Sequence, residues 1–252
     1  MAMFIDINAD VGERPEALLD GREEELLSLV SSASIACGLH AGDISTMEQV
    51  IQLCARYDVG IGAHPSYPDR ANFGRTEMNL SSREIEETIH SQLKTLVDLA
   101  GGLHCTVRHV KPHGALYNVA ARDARVAASI AAGVGLVDNR LILLGLAGSP
   151  TLNVWKDAGF SVAAEAFADR RYEPDGSLRS RKLPGAVISD ASEAVEQAIG
   201  IVKRGLLVTT DGSEVSVQAQ TICIHGDTEN AIAIARALRR ALRREGIKVQ
   251  PL

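Results

Sequence analysis

Aromatic side chains make up only 4% of this 252-residue chain. That leaves little surface for stacking on nucleobases or flat sugars. Positive charge is in deficit as well. Against 32 Asp and Glu stand 26 Lys and Arg, a formal net charge of -6, whereas a nucleic-acid partner asks for a clustered basic face. The one basic cluster, Arg236 to Arg244, falls on a helical stretch near the C-terminus and reads as a solvated helix face. No apolar run approaches membrane-spanning length, and no basic segment leads into an apolar one at the N-terminus. A cytoplasmic protein with neither nucleic-acid nor membrane partners is expected.

Cysteine is sparse and badly spaced for chemistry. Cys37, Cys54, Cys105 and Cys223 form no CxxC pair, so neither a zinc knuckle nor a redox couple is suggested, and all four read as small buried hydrophobes. Several catalytic signatures are missing too. There is no GxxxxGK[ST] phosphate loop, no GxSxG elbow and no HExxH helix, and Gly133-Val134-Gly135 lacks the third glycine of a dinucleotide fingerprint.

What the chain does have is a regular alternation of short apolar runs with amphipathic helices, the pattern of βα units around a parallel sheet. Strands are expected near Phe4 to Asn8, Ser34 to Cys37, Val59 to Ala63, Thr106 to Val110, Leu141 to Leu146, Phe160 to Ala164 and Thr221 to Ile224. Ser45 with Glu48, and Ser81 with Glu84, read as capping boxes that start two helices. Further helices are expected from about Ala191 to Arg204 and from about Glu229 to Arg244. Two long loops, Pro65 to Asn79 and Phe167 to Leu183, interrupt the rhythm and read as binding loops or lids. No linker-like tract divides the chain, so residues 1–252 are expected to form one α/β domain.

Four of the seven histidines share one setting: His40, His64, His113 and His225 each follow an apolar run and precede Gly or Pro at once or nearly so. Each would be delivered to the C-terminal end of a buried strand, the face on which α/β enzymes keep their chemistry. Around them lie polar groups of complementary kinds. Asp6, Asn8 and Asp10 alternate along the first strand and would share one side, where carboxylates suit general-base work or a hard cation. His40 is followed by Asp43, and His64 by Asp69 and Arg75, any of which could hold or tune an imidazole. Lys111 and His113 flank Pro112, ahead of Gly114, Tyr117 and Asn118. Glu165 leads into Asp169, Arg170 and Arg171, and an arginine there can clamp anionic oxygens. His225 is followed by Asp227 at the start of the last helix. His90 and His104 are given no role, and His109, inside a strand, reads as structural.

Six stretches carry a family resemblance: DINADVGE at 6–13, ASIACGLHAGD at 33–43, IGAHPSYPD at 61–69, VKPHGALYN at 110–118, EAFADRRY at 165–172 and ICIHGDT at 222–228. Together, and in this order, they resemble the LamB/YcsF family. The chain departs from the usual family pattern at Ala9, where Cys is usual, and at Asn72-Phe73-Gly74-Arg75-Thr76, where Gly-Phe-Gly-Arg-Arg is usual. The resemblance implies a distorted seven-stranded β/α barrel of the glycoside hydrolase/deacetylase type. It also implies the ATP-dependent opening of the lactam 5-oxoproline to glutamate, with ATP and Mg2+ entering as co-substrate and with two partner 5-oxoprolinase subunits, B and C.

In that setting Asp10 and His64 are expected as acid/base groups, with Glu165 as a second candidate acid. Lys111 would neutralise the substrate carboxylate or a transferred phosphate, and His40, His113 and His225 would orient substrate or relay protons. Asn8, Asp43, Arg75, Tyr117, Asn118, Arg170 and Asp227 are the expected substrate-binding set, Asp43 and Asp227 by holding their histidine neighbours. Two other readings stay open. One is a metal-dependent C–N hydrolase that needs no ATP, with Asp10, His40 and His64 as candidate ligands. The other is a chain that only binds substrate or partner.

Overall fold

The computed structural model describes residues 3–252. Its strands are β1 (Phe4–Val11), β2 (Ser32–Ala36), β3 (Gly60–His64), β4 (Val107–Val110), β5 (Ile142–Leu146), β6 (Val162–Phe167), β7 (Leu206–Val208), β8 (Glu214–Ser216), β9 (Thr221–His225) and β10 (Lys248–Val249). The first six and β9 run parallel, each beside the next, and β9 closes on β1. The result is a seven-stranded α/β barrel, and every strand expected from the sequence is one of its staves. Three short strands escaped the sequence reading. β7 and β8 form a separate antiparallel hairpin, and β10 extends the lower end of β1.

Nine helices complete the described residues: α1 (Pro15–Leu19), α2 (Arg22–Leu27), α3 (Ile44–Tyr57), α4 (Ser82–Gly102), α5 (Gly114–Ala120), α6 (Ala124–Gly135), α7 (Thr151–Asp157), α8 (Ala191–Arg204) and α9 (Ala231–Arg244). Among the described residues no helix is long and apolar enough to cross a membrane. The capping box at Ser81 and Glu84 forms as its spacing predicts. The one expected at Ser45 and Glu48 does not: α3 starts two residues earlier, capped by Asp43, whose carboxylate accepts the Thr46 N–H at 2.8 Å.

Alternation along the strands divides two kinds of interior. Outward residues such as Ile7, Ala9, Val11, Ile35 and Leu143 pack with Val50, Ile51, Leu93 and Leu96 in the apolar layer between barrel and helices. Inward residues are largely polar: Asp6, Asn8 and Asp10 from β1, Ser34 from β2, His109 from β4, Glu165 from β6, and Thr221 and Cys223 from β9, all buried. A barrel interior is more often filled with branched apolar layers; here its floor is built of hydrogen bonds. Asp6 accepts from Ser31 Oγ at 2.7 Å and Thr221 Oγ1 at 2.5 Å.

The barrel is distorted where β3 meets β4. The pairing slips between Ile61 and Gly62, so that Gly62 lies opposite His109. With no side chain at Gly62, the His109 ring lies across the strand and its Nε2 reaches Ser34 Oγ at 3.2 Å. Burial pushes the His109 pKa down to about 3, so it is neutral and structural.

β1 ends in a turn at Gly12 (φ +72°), which sends Glu13 over the barrel mouth. The turn is held by Glu23 of α2, whose carboxylate accepts the Gly12 N–H at 2.5 Å. Burial raises the Glu23 pKa to about 7. The folded chain then keeps a proton that the unfolded chain releases near 4.5, and stability falls as pH rises through that window. Glu23→Gln should remove this slope. Urea unfolding should find the variant more stable than the parent at pH 8, by on the order of 2–3 kcal/mol, and little different at about pH 4.5. Equal stabilities at pH 8 would contradict the buried-carboxylate account.

Candidate active site

The strand ends open into a cavity of about 720 Å3, and its deepest charge is Lys111. Just past the bulged β3–β4 pairing, this side chain is aimed back into the barrel and is 2% exposed. Its Nζ lies 2.7 Å from Asp10 Oδ1, 2.9 Å from Glu165 Oε1, 3.3 Å from Asn8 Oδ1 and 3.0 Å from Cys223 Sγ. Burial alone would lower its pKa, but Asp10 and Glu165 outweigh that and hold the ammonium charged. With four partners at these distances no N–H is left for a ligand. Lys111 therefore fixes the ionisation of the floor instead of standing free as an anion clamp.

One wall is a cluster of three imidazoles around Glu13. His64 Nδ1 lies 2.6 Å from the Lys111 carbonyl, and His113 Nε2 lies 2.9 Å from the Phe73 carbonyl. A carbonyl can only accept, so both nitrogens carry hydrogen. The remaining nitrogens, His64 Nε2 and His113 Nδ1, face each other at 3.0 Å. Glu13 Oε1 sits 3.2 Å from His113 Nδ1, 3.8 Å from His64 Nε2 and 3.2 Å from His40 Nε2. His40 stacks flat on His113, with ring centroids 3.9 Å apart. Burial and the neighbouring imidazoles bring the His40 pKa down to about 3.

Asp10 joins floor and wall. Its Oδ2 is 3.4 Å from His64 Nε2 while its Oδ1 holds Lys111. Burial would raise its pKa, yet His64 and Lys111 more than offset this and keep it well below the usual carboxylate range. For His64 the signs reverse: burial opposes the charge, and Asp10 raises the pKa despite it. The pair is an anionic base beside an imidazole able to hold a proton.

The opposite wall is built on β9 and the segment after β6. His225 Nδ1 meets Asp169 Oδ1 at 2.9 Å, and the same carboxylate accepts from the His225 N–H and from Thr228 Oγ1. Arg170 is 5% exposed, donates to the Ala186 and Arg179 carbonyls, and has no carboxylate partner among the described residues, although it lines the cavity. Burial, with Arg181 nearby, lowers its pKa to about 10, so it stays charged at neutral pH. Arg75 and Arg181 both pair with Asp227 at the rim. The long loops expected as lids do cover this mouth: residues 75–77 and 178–182 line the cavity.

Twelve of the fourteen expected residues thus divide into three sets. Asp10, His64, Arg75, Lys111, His113, Tyr117, Asn118, Arg170 and His225 line the cavity. Asn8 and Glu165 lie beneath it, completely buried, where Asn8 Nδ2 donates to Glu165 Oε1 at 3.0 Å and to Thr221 Oγ1 at 2.7 Å. They shape the floor and are not in position to touch a ligand. His40 supports Glu13 from behind.

Both acids expected to hold the histidine just before them in the chain do otherwise. Asp43 caps α3 and Asp227 binds two arginines, while Glu13 meets His40 and Asp169 meets His225. Asp69 likewise turns away from His64 to cap the 3-10 turn Arg70–Asn72. Glu13 and Asp169 are site residues beyond the expected set, and the signal for both is their place two residues beyond a strand end. Asp43→Ala should accordingly cost about 1 kcal/mol of stability through the lost cap and leave turnover within twofold. A large loss of turnover at unchanged stability would return Asp43 to the site.

Comparison with known proteins agrees with this geometry. The model of the LamB/YcsF family matches residues 5–252. A protein of Chloroflexus aggregans, named as the A subunit of 5-oxoprolinase, is 47% identical over 248 residues, covering 98% of each chain. One of the same name from Methylococcus capsulatus is 47% identical over 252 residues, covering 100% of this chain and 97% of the other. The crystal structure of the lactam utilization protein from Thermus thermophilus superposes with a TM-score of 0.91 at 40% identity, over 99% of this chain and 100% of that one. A match of sequence and barrel from end to end has one reading: the chain belongs to the LamB/YcsF family.

Proposed function

We propose that the chain is the A component of an ATP-dependent 5-oxoprolinase, opening 5-oxoproline to glutamate with two partner subunits, B and C. The observation that carries the reading is the meeting of Asp10, His64 and Lys111 on the floor of a cavity walled by an uncompensated arginine. Such a site offers a carboxylate kept anionic, an imidazole able to carry a proton, and in Arg170 a fixed cation for a small anionic substrate. The names of the full-length relatives supply the substrate class and the membership of a complex.

Amide resonance makes direct attack by water on a lactam slow. Transfer of the ATP γ-phosphoryl group to the lactam oxygen, with ADP as the leaving group, removes that resonance. Water then adds to the carbonyl carbon, giving its proton to Asp10, and the ring C–N bond breaks as His64 protonates the leaving nitrogen. The acyl phosphate left behind takes a second water to give glutamate and phosphate. Arg170, with Arg181 at the rim, balances the substrate carboxylate or the phosphoryl oxygens. Mg2+ enters with ATP, whose site belongs to the assembled complex.

The test is reconstitution. The chain with its B and C partners should consume ATP only when 5-oxoproline is present, releasing glutamate in equal amount. Asp10→Asn and His64→Asn, each assembled normally, should lose at least about 10²–10⁴ in turnover. Full turnover by either variant, or no response of ATP consumption to 5-oxoproline, would overturn the assignment.

A further inference from the structure

The three imidazoles and Glu13 pose a problem that a proton on His64 Nε2 solves only in part, since His113 Nδ1 would still face the Glu13 carboxylate at 3.2 Å. His64 and His113 each use one ring nitrogen as donor to a backbone carbonyl. Their other nitrogens, both lone-pair bearing in the neutral rings, converge with a carboxylate oxygen on one point. Acceptors turned toward each other at 3.0 to 3.8 Å repel unless something positive lies between them.

The geometry points to a divalent transition-metal site formed by Glu13 Oε1, His64 Nε2 and His113 Nδ1, with Zn2+ as the best-fitting occupant. Ligands about 2.0–2.1 Å from a tetrahedral zinc lie roughly 3.3–3.4 Å from one another. The three edges here are 3.0, 3.2 and 3.8 Å. Imidazole nitrogen favours zinc and its neighbours over Mg2+ or Ca2+. Metal-binding histidines characteristically donate their second N–H to a carbonyl or carboxylate, as both of these do. His40 Nε2 steadies the carboxylate from behind, at 3.2 Å from Glu13 Oε1.

All three ligands line the cavity whereas His40 does not, so a fourth coordination position faces the ligand space, next to Asp10. Glu13, His64 and His113 therefore replace the Asp10, His40 and His64 set expected from the sequence. A second group, Asp10, Cys223 and His225, also lies close together. It is unsuited to a cation, because the Lys111 ammonium already sits 2.7 Å from its carboxylate and 3.0 Å from its sulfur.

A metal here would deepen the lactam reading, on which it rests, by adding a cation to the same site; with His64 Nε2 on the ion, the proton for the leaving nitrogen would come from Asp10, which takes it from the water, and the test of the metal needs no turnover. The full chain is stripped with a chelator and titrated calorimetrically with ZnCl2 at about pH 7.5, binding being read together with the protons it releases. One ion per chain is expected at sub-micromolar Kd, with a rise in Tm on saturation that the mass-action law links to that Kd. Glu13→Gln and His113→Asn, checked for native circular dichroism, should each bind at least about 100-fold more weakly. Should a variant fail to fold, Co2+ added to the stripped parent chain reports directly. Intense visible absorption bands mark four- or five-coordination by nitrogen and oxygen ligands. Absence of binding at about 100 μM Zn2+ or Co2+, six-coordinate pale Co2+ spectra, or unchanged affinity in both folded variants would overturn the site. A failure of reconstitution with intact Zn2+ binding would overturn the lactam reading alone.

Discussion

Replacing Lys111 with methionine is expected to cost the assembled enzyme at least about 10³ in turnover and the fold about 3–5 kcal/mol. The side chain length is nearly kept, so the loss is one of charge. Asp10 and Glu165 would remain buried on either side of the vacated ammonium, 5% and 0% exposed. Without the cation beside it, burial pushes the Asp10 pKa up, and a protonated Asp10 can no longer accept a proton from water. The two effects share a pH signature. A raised Asp10 pKa means that the folded variant binds a proton more tightly than the unfolded chain, so its stability declines as pH climbs above about 4. Unfolding by urea should show the variant far weaker than the parent at about pH 7.5 and the gap narrower at about pH 5. A gap that stays constant with pH would point to packing in place of charge.

Gly62→Ala should be the most damaging small substitution in the barrel. A Cβ on Gly62 would fall 2.0 Å from His109 Nε2 and 2.2 Å from its Cδ2. Neither atom can yield easily, since the ring is enclosed and held by Ser34. Overpacking typically costs about 1–3 kcal/mol, and an overlap this deep, on the strand that carries His64, should exceed about 3 kcal/mol. The cause can be isolated with a cycle. In a Gly62→Ala background, His109→Ala should restore stability, whereas in the parent it should lower it by opening a cavity. Additive losses in the double variant would show that the glycine is needed for some other reason. Because His64 lies two residues on along the same face, a partly folded Gly62→Ala chain should also lose turnover.

Much of this molecule was readable in one dimension. β1 alternates Ile5, Ile7, Ala9 and Val11 with Asp6, Asn8 and Asp10, and that period alone separates the helix-facing layer from the barrel interior. The four strand-end histidines were legible for the same reason, as was the Ser81 capping box. Where reading failed, the error was to pair groups by nearness in sequence. Asp43 lies three residues from His40 and Asp227 two from His225, yet a helix N-terminus and a pair of arginines claim them. The carboxylates that do reach those imidazoles come from other strand ends, Glu13 after β1 and Asp169 after β6. Lys111 obeys the same rule: in the sequence it is a strand-end cation free to meet a substrate, but the barrel closes Asp10, Glu165, Asn8 and Cys223 around it.

The sequence by itself determined the seven parallel strands, the polar inner face and the gathering of titratable groups at one end. These follow from repeats of about 2 and about 3.6 residues, which each segment carries within itself. Tertiary structure alone decided which acid meets which base. Those pairings join residues from separate strands, Lys111 with Asp10 across 101 positions among them, and depend on register, in which a slip of one residue would turn every inward group outward. Barrel closure and the bulge opposite Gly62 set that register, and with it a floor neutralised by Lys111 and a wall where Glu13, His64 and His113 converge.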